Sequence, residues 1–229
     1  MAKGKLYGVG VGPGDPELLT LKAVRLMREA DLIAVPHKDK DKCFALSIAA
    51  GAMPEVMEKD FLEIDMPMTL DYEKREQAYV AGTAKLAAAL DEGKTVVFLV
   101  LGDPTVYSTY CYLHERIVKL GYETEIVPGI TSFCASAAAL NIPLCEDKEE
   151  VHIIPGVFNP IDALEYPGTK VMIKNRLPVS LQELKKRNLS VYMVENCGTE
   201  NQKMYYSAEE IPEDAGYYSV MIIKEEKKK

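Results

Sequence analysis

The sequence predicts an α/β protein built from two domains. Residues 96–101 form an unbroken apolar run, which is typical of a central parallel strand covered on both faces. Gly102 and Pro104 end that run. Apolar residues then recur at steps of four and three, which predicts one face of a helix: Val106, Tyr110, Leu113, Ile117 and Leu120. A chain of 229 residues is long enough for one large core or two smaller ones.

The first half of the chain alternates strand and helix patterns. Apolar stretches predict strands at 5–11, 32–35 and 123–127, and helical spacing predicts helices at 42–52 and from Tyr72 to a stop at Gly93. Asp15 is a suitable N-cap for a helix that continues to about Ala30. Thr131 or Ser132 can cap a helix of small residues that reaches Leu140. Residues 37–71 show the least regular pattern.

The second half is predicted to be a smaller α/β unit. The polar, acidic stretch 143–150 is the candidate linker, so we expect domains at 1–145 and 146–229. Four further strands are predicted, at 151–154, 170–173, 191–194 and 218–223.

Composition excludes several classes of function. A net charge of −8 argues against a general nucleic-acid binder. The apolar runs are too short for a membrane span, and we expect a cytoplasmic protein with no membrane partner. The five cysteines form no CxxC pair, and we expect reduced, mostly buried thiols. The three histidines lie far apart in sequence, so no metal site is predicted.

Two glycine-containing turns are candidates for ligand binding. Asp103 follows the 96–101 strand, at the end where open α/β sheets bind ligands, although an aspartate there can also act only as a helix cap. The loop 10–15 fits neither the dinucleotide fingerprint nor a Walker loop. Its three glycines indicate close approach by a ligand or by another stretch of backbone.

Three motifs in this order resemble the tetrapyrrole methylases, which use S-adenosylmethionine in corrin and sirohaem synthesis. They are GVGVGPGDPELLTLKA at 8–23, LGDPTVYSTYCYL at 101–113 and VPGITSFCASAA at 127–138. The resemblance covers essentially the whole chain. Within the family, the YST that follows the GDP turn, the long 37–71 segment and MIKNR at 172–176 resemble precorrin-2 carbon-20 methyltransferases, particularly those of the anaerobic cobalamin route that take cobalt-precorrin-2.

The resemblance implies two α/β domains with the active site in the cleft between them, and a homodimer. It implies that S-adenosylmethionine is the cofactor, S-adenosylhomocysteine the product and a tetrapyrrole the acceptor, with no protein-bound metal. The implied cofactor contacts are Gly102, Asp103, Val106, Thr131, Ser132, Lys174, Cys197, Ser219 and Val220. The implied tetrapyrrole contacts in the glycine-rich loop are Gly12, Pro13, Gly14 and Asp15.

Methyl transfer to carbon also requires the loss of a proton from the acceptor, and Asp103 and Lys174 are the candidates to manage it. Lys170, Lys174 and Arg176 alternate along a predicted strand; Arg176 and Lys174 are candidates to bind substrate carboxylates, whereas a solvated position is expected for Lys170. Lys38, Lys40 and Lys42, in the 37–71 segment, are the alternative candidates to bind these carboxylates.

Other hypotheses for the function are methylation of uroporphyrinogen III, of another corrin carbon or of a protein or RNA, and a cofactor-binding domain without catalysis.

Overall fold

The computed structural model describes residues 3–156, 162–174, 181–187 and 189–225. The chain divides into two compact units, 1–131 and 132–229. The first unit is built on a five-stranded sheet. Its strands are β1 (Lys5–Gly10), β2 (Leu32–Val35), β3 (Asp60–Glu63), β4 (Val96–Val100) and β5 (Glu123–Val127).

Every neighbouring pair in this first sheet is parallel, and the strand order is β3-β2-β4-β1-β5. All five residues of β4 are buried. Val97 and Leu99 belong to one apolar cluster, whereas Val96, Phe98 and Val100 belong to a second. Because alternate residues of a strand face opposite sides of its sheet, these two clusters are the two covered faces. The predicted central strand is therefore confirmed.

Two helices cover each face of the first sheet. Residues of α1 (Leu21–Glu29) and α2 (Phe44–Ala52) contribute to the first cluster. Residues of α3 (Tyr72–Asp91) and α4 (Tyr110–Lys119) contribute to the second. Apolar side chains from helices and strands thus form two cores that hold the carboxyl ends of the strands in fixed positions.

Two predicted helix starts are wrong. The helix after β4 begins at Tyr110, so Val106 lies in a turn, and Leu120 at its other end is 52% exposed. The predicted helix from Asp15 to Ala30 is two elements. Asp15 accepts a hydrogen bond of 2.8 Å from the Glu17 amide and caps a short 3₁₀ turn, and α1 then begins with its own cap at Thr20.

The second unit contains a second five-stranded sheet. Its strands are β6 (Val151–Pro155), β7 (Thr169–Ile173), β8 (Leu189–Glu195), β9 (Lys203–Tyr205) and β10 (Ser219–Glu225). The order is β6-β7-β10-β8-β9, with β6 and β7 parallel and the other neighbours antiparallel. The four strands predicted in this half are all present. β9, like β3 in the first half, is too short to give a periodic pattern.

The α-helices that the structure describes in the second unit are α5 (Ser132–Ala139) and α6 (Leu181–Lys185). α5 packs on β8 and β10, so it belongs to the second unit. The boundary between the compact units, between 131 and 132, therefore lies earlier in the sequence than the predicted boundary between 145 and 146.

The candidate linker 143–150 is attached to the second sheet. The ammonium of Lys224, on β10, donates to the carbonyl oxygens of Pro143 and Leu144, each at 3.0 Å, and to the Glu149 carboxylate at 3.2 Å. Thr169, on β7, donates to the same carboxylate at 2.6 Å. These contacts fix the segment as part of the second unit.

Candidate functional site

Three turns meet at the carboxyl edge of the first sheet. They are residues 10–15 after β1, 102–106 after β4 and 128–131 after β5. β1 lies between β4 and β5 in the sheet, so the three turns are neighbours, although the first is far from the others in sequence. We call this group of turns the motif junction. Parallel α/β sheets bind ligands at this kind of edge.

The turns after β1 and β4 are joined through their backbones. The Gly102 amide donates to the Gly12 carbonyl at 2.8 Å, and the Gly12 amide donates to the Gly102 carbonyl at 3.2 Å. Both glycines have positive φ angles, 75° at Gly12 and 71° at Gly102. Residues with a Cβ rarely adopt this backbone conformation, so the pair requires glycine at both positions.

The turn after β5 packs against the same backbone. A Cβ added to Gly129 would lie 2.2 Å from the Gly102 carbonyl oxygen, and one added to Gly10 would lie 2.6 Å from that oxygen. Of the two explanations for the glycine-rich loop, close approach by another backbone therefore accounts for Gly10. Gly12, Pro13 and Gly14 are buried and Asp15 is half-buried, and their contact with a tetrapyrrole stays a prediction.

Asp103 connects two of the three turns. Its side chain is 7% exposed. One carboxylate oxygen, Oδ1, accepts from the amide of Thr105 at 2.7 Å and also from the Thr105 hydroxyl. The other, Oδ2, accepts from the Gly129 amide at 2.9 Å. Because α4 begins only at Tyr110, Asp103 does not cap that helix; it holds the turns after β4 and β5 together.

The turn after β5 ends at the buried hydroxyl of Thr131. The Oγ1 atom of Thr131 is buried and makes no hydrogen bond to any residue that the structure describes. A buried hydroxyl without a partner is unfavourable, so such an atom requires an explanation. Ser132 is the first residue of α5. Gly102, Asp103, Val106 and Thr131, four of the predicted cofactor contacts, thus lie in the motif junction.

The predicted cofactor contacts of the second unit also lie together, at one end of the strands of the second sheet. Ile173 and Val194 both pair with Val220 in the strand register, and Glu195 pairs with Ser219. Lys174 and Cys197 follow the ends of β7 and β8, so both lie beside the start of β10. Cys197, Ser219 and Val220 are buried.

Lys174 is exposed to solvent, yet the pKa of its ammonium group is lowered. Lys174 directly follows β7 with a φ of 55°, and it is exposed to solvent. Desolvation by surrounding protein atoms nevertheless lowers the pKa of Lys174, which favours the neutral amine.

The prediction that Lys170, Lys174 and Arg176 alternate along one strand is wrong in two respects. Strand β7 ends at Ile173, so Lys174 does not continue the alternation. Lys170 is 1% exposed rather than solvated, because it lies beside Ile223 in the sheet and extends to Glu225, 3.3 Å away. Arg176, the other predicted carboxylate ligand, lies outside the described residues.

No group of three or more His, Cys, Asp or Glu side chains suited to a metal ion occurs within the described ranges. The five cysteines are not joined in disulfides, but only Cys43 and Cys197 are buried, so the prediction of mostly buried thiols is wrong. Among the helices that the structure describes, none is both long and apolar enough to span a membrane.

Comparison with known proteins identifies the family. The family model for the Tetrapyrrole (Corrin/Porphyrin) Methylases matches residues 5–212. The chain belongs to this family. This tetrapyrrole methylase is 42% identical over 152 residues to a probable cobalt-precorrin-2 C(20)-methyltransferase of Methanocaldococcus jannaschii, and the match covers 66% of the chain and 64% of that relative. It is 29% identical over 237 residues to a precorrin-2 C(20)-methyltransferase of Sinorhizobium sp., covering 96% and 95% of the two chains.

A solved structure agrees with the fold of this tetrapyrrole methylase. The uroporphyrin-III C-methyltransferase of Thermus thermophilus, in complex with S-adenosylhomocysteine, superposes with a TM-score of 0.68 at 25% identity, covering 97% of this chain and 98% of that one. The family and the α/β fold predicted from the three motifs are confirmed.

Proposed function

We propose that this protein is an S-adenosylmethionine-dependent methyltransferase that methylates carbon 20 of precorrin-2 or its cobalt complex in cobalamin biosynthesis, in the anaerobic route. The observation that carries the proposal is the motif junction, where the three motif turns of a tetrapyrrole methylase meet at the ligand-binding edge of a parallel sheet. The names of the two relatives with the same carbon-20 specificity support the choice of acceptor.

The described residues fit S-adenosylmethionine. The buried Thr131 hydroxyl lacks a partner within the described chain, and a polar cofactor can supply one. In the second unit, Lys174, Cys197, Ser219 and Val220 form a further cluster of proposed contacts. When bound, the cofactor supplies a methyl group that is already activated by its sulfonium. The protein therefore contributes mainly positioning, which is worth about 7–11 kcal/mol in favourable cases.

Lys174 is our candidate for the proton that the acceptor carbon loses, because it lies beside the start of β10 with the other proposed cofactor contacts of the second unit. Its lowered pKa increases the fraction of neutral amine, which can accept a proton. The carboxylate of Asp103 is instead buried and already accepts hydrogen bonds from Thr105 and Gly129. We therefore assign Asp103 to holding the motif junction and Lys174 to the proton transfer.

The substrate carboxylates require local donors, because the net charge of −8 does not attract an anion over distance. Arg176 remains the proposed bidentate ligand. The alternative cations at 38–42 are partly neutralised: Lys40 pairs with Asp41 at 3.1 Å and Lys42 pairs with Asp39 at 3.2 Å. These ion pairs weaken the case for this segment as the main carboxylate site.

The test is formation of S-adenosylhomocysteine with separate acceptors. The protein is incubated with S-adenosylmethionine and metal-free precorrin-2, cobalt-loaded precorrin-2, uroporphyrinogen III or no acceptor. We expect product with at least one form of precorrin-2, and the two forms decide the metal state of the substrate. Product with uroporphyrinogen III alone would replace the proposed acceptor. Cofactor binding without turnover on any acceptor would indicate a non-catalytic cofactor-binding domain.

We also propose a cytoplasmic homodimer. Tyr72, Val80 and Tyr112 expose large apolar surfaces on α3 and α4; we call this surface the α3–α4 face. Its helices are held together by Arg116, which bonds both carboxylate oxygens of Glu76 at 2.7 and 2.8 Å, and by the stacked rings of Tyr79 and Tyr112. Tyrosine and arginine are enriched at protein interfaces, and charges of both signs suit contact with an identical surface.

A further inference from the structure

Glu195, at the end of β8, is a buried carboxylate that the proposed chemistry does not use. It is 8% exposed. Its Oε1 atom accepts from the Gly216 amide at 2.7 Å, and Oε2 accepts from the Tyr205 hydroxyl at 2.8 Å. No described lysine, arginine or histidine forms an ion pair with it. Burying a carboxylate without a cation is unfavourable unless hydrogen bonds compensate, so the bonds from Gly216 and Tyr205 are what hold Glu195 in place.

The contacts of Glu195 lead directly to Ser219. The Ser219 hydroxyl donates to the Gly216 carbonyl at 2.8 Å, and the amide of that same glycine is held by Glu195. Glu195 and Ser219 are also paired in the strand register. The carboxylate thus anchors Gly216, the residue whose carbonyl orients the Ser219 hydroxyl.

The same carboxylate fixes the end of the neighbouring strand. Tyr205 lies on β9, and burial together with its hydrogen bond to Glu195 raises the pKa of Tyr205 to about 12. The hydroxyl therefore keeps its proton and remains a donor at neutral pH. Cys197 follows Glu195 by two residues, and the Asn196 amide between them donates to the Tyr218 carbonyl at 2.8 Å.

We propose that Glu195 is a positioning residue for the cofactor: it holds β9 and the 206–218 loop against β8, so that Ser219 and Cys197 are presented in binding geometry. This inference rests on the proposed function, because it takes Ser219 and Cys197 as cofactor contacts. It assigns Glu195 no contact with the cofactor. The shape of the hydrogen-bonded group, rather than its charge, does the positioning.

The role predicts a difference between two substitutions. In Glu195→Gln, the side-chain carbonyl can still accept from Gly216 while the amide donates to the Tyr205 oxygen. In Glu195→Ala both contacts are lost. We expect Glu195→Ala to weaken S-adenosylhomocysteine binding at least about tenfold, and Glu195→Gln to stay within about threefold of the wild type, as measured by calorimetry. The acceptor KM and the kcat at saturating cofactor should change by less than about twofold in both.

The control is Glu149→Ala, which removes another mostly buried, hydrogen-bonded carboxylate from the same unit, beside Lys224 rather than Ser219. It should lower the thermal unfolding midpoint without changing cofactor affinity. If Glu195→Ala does not fold, Tyr205→Phe removes one of the two donors and should weaken binding about threefold. Unchanged affinity in the folded variant, or an equal loss in Glu149→Ala, would overturn the inference. A wild-type protein that does not bind S-adenosylhomocysteine would instead refute the proposed function.

Discussion

The carboxylate of Asp103 accepts a hydrogen bond of 2.9 Å from the amide of Gly129, so the turns after β4 and β5 are joined by one side chain. This contact brings two motifs that are separated in sequence into direct contact in the fold. It also means that a change at Asp103 affects the geometry of the motif junction before it affects any chemistry.

Asp103→Asn should therefore reduce stability as well as ligand binding. The asparagine has one oxygen for the donors of Thr105 and Gly129, so one buried donor loses its acceptor. We expect a loss of about 1–3 kcal/mol in the free energy of unfolding, measured by urea denaturation, and weaker S-adenosylhomocysteine binding. Asp15→Asn is the matched control, since Asp15 accepts a single bond in a 3₁₀ turn and asparagine caps equally well. Equal stability of the two variants would contradict the assigned role of Asp103.

Gly129→Ala tests the close approach of the three backbones. The added methyl group would lie 2.2 Å from the Gly102 carbonyl oxygen, so one of the turns must move. We expect a loss of about 1–3 kcal/mol or more in stability, together with loss of cofactor binding in calorimetry. Gly121→Ala provides the comparison, because Gly121 has a φ of 82° and open space around its Cβ position. It should lose stability through backbone strain alone and keep its cofactor affinity.

The acid stability of the second unit should depend on Glu149. Partial burial raises the pKa of Glu149, but hydrogen bonds from Thr169 and Lys224 outweigh that effect and hold it below the ordinary 4.5. Because the folded carboxylate binds its proton less tightly than the unfolded one, its contribution is present above the unfolded pKa and is lost as pH falls through the folded pKa.

Glu149→Gln should thus cost about 1–3 kcal/mol near neutral pH, with the difference from wild type shrinking as pH falls below the ordinary 4.5. Thermal unfolding across this range measures it. Glu165→Gln is the control, because Glu165 is 71% exposed where it pairs with Arg187. A difference that stays constant with pH would show that the Glu149 charge does not stabilise the fold.

The α3–α4 face should control the oligomeric state. Val80→Glu places a charge in the proposed contact, and we expect light scattering at micromolar concentration to fall from twice 25.4 kDa to the mass of one chain. Leu21→Glu introduces the same charge at another exposed apolar residue, on α1, and should leave the dimer intact. A dimer that survives Val80→Glu would move the interface elsewhere, whereas a monomeric wild type would refute the dimer itself.

The sequence predicts the strands well because buried strands of this kind are marked by their own residues. The five buried residues of β4 are a local pattern, and so is the Gly93 stop after α3. The predicted start of α4 is wrong because Val106 continues the apolar spacing by coincidence, while the hydrogen bonds that Asp103 accepts from Thr105 and Gly129 keep that segment in a turn. No local pattern reveals a hydrogen bond to a residue 26 positions away.

The environment of single polar residues is harder to predict from the sequence than the positions of helices and strands. The sequence predicts a solvated Lys170, yet this residue is buried inside the second sheet, where it pairs with Ile223 on a strand more than 45 positions later. The sequence does not indicate the role of Glu195, because its partners Tyr205 and Gly216 lie in a short edge strand and in a loop. The motif residues themselves were placed correctly at strand ends, since glycine and proline mark those ends directly.

The position of β1 in the first sheet has a consequence for synthesis of the protein. β1 is made first, but both strands that flank it, β4 and β5, emerge from the ribosome only after residue 95. Until then its two edges are unpaired, and such edges are sites of aggregation in partly made chains. The native first sheet therefore cannot form completely before β5 has been synthesised, and the same holds for its ligand-binding edge.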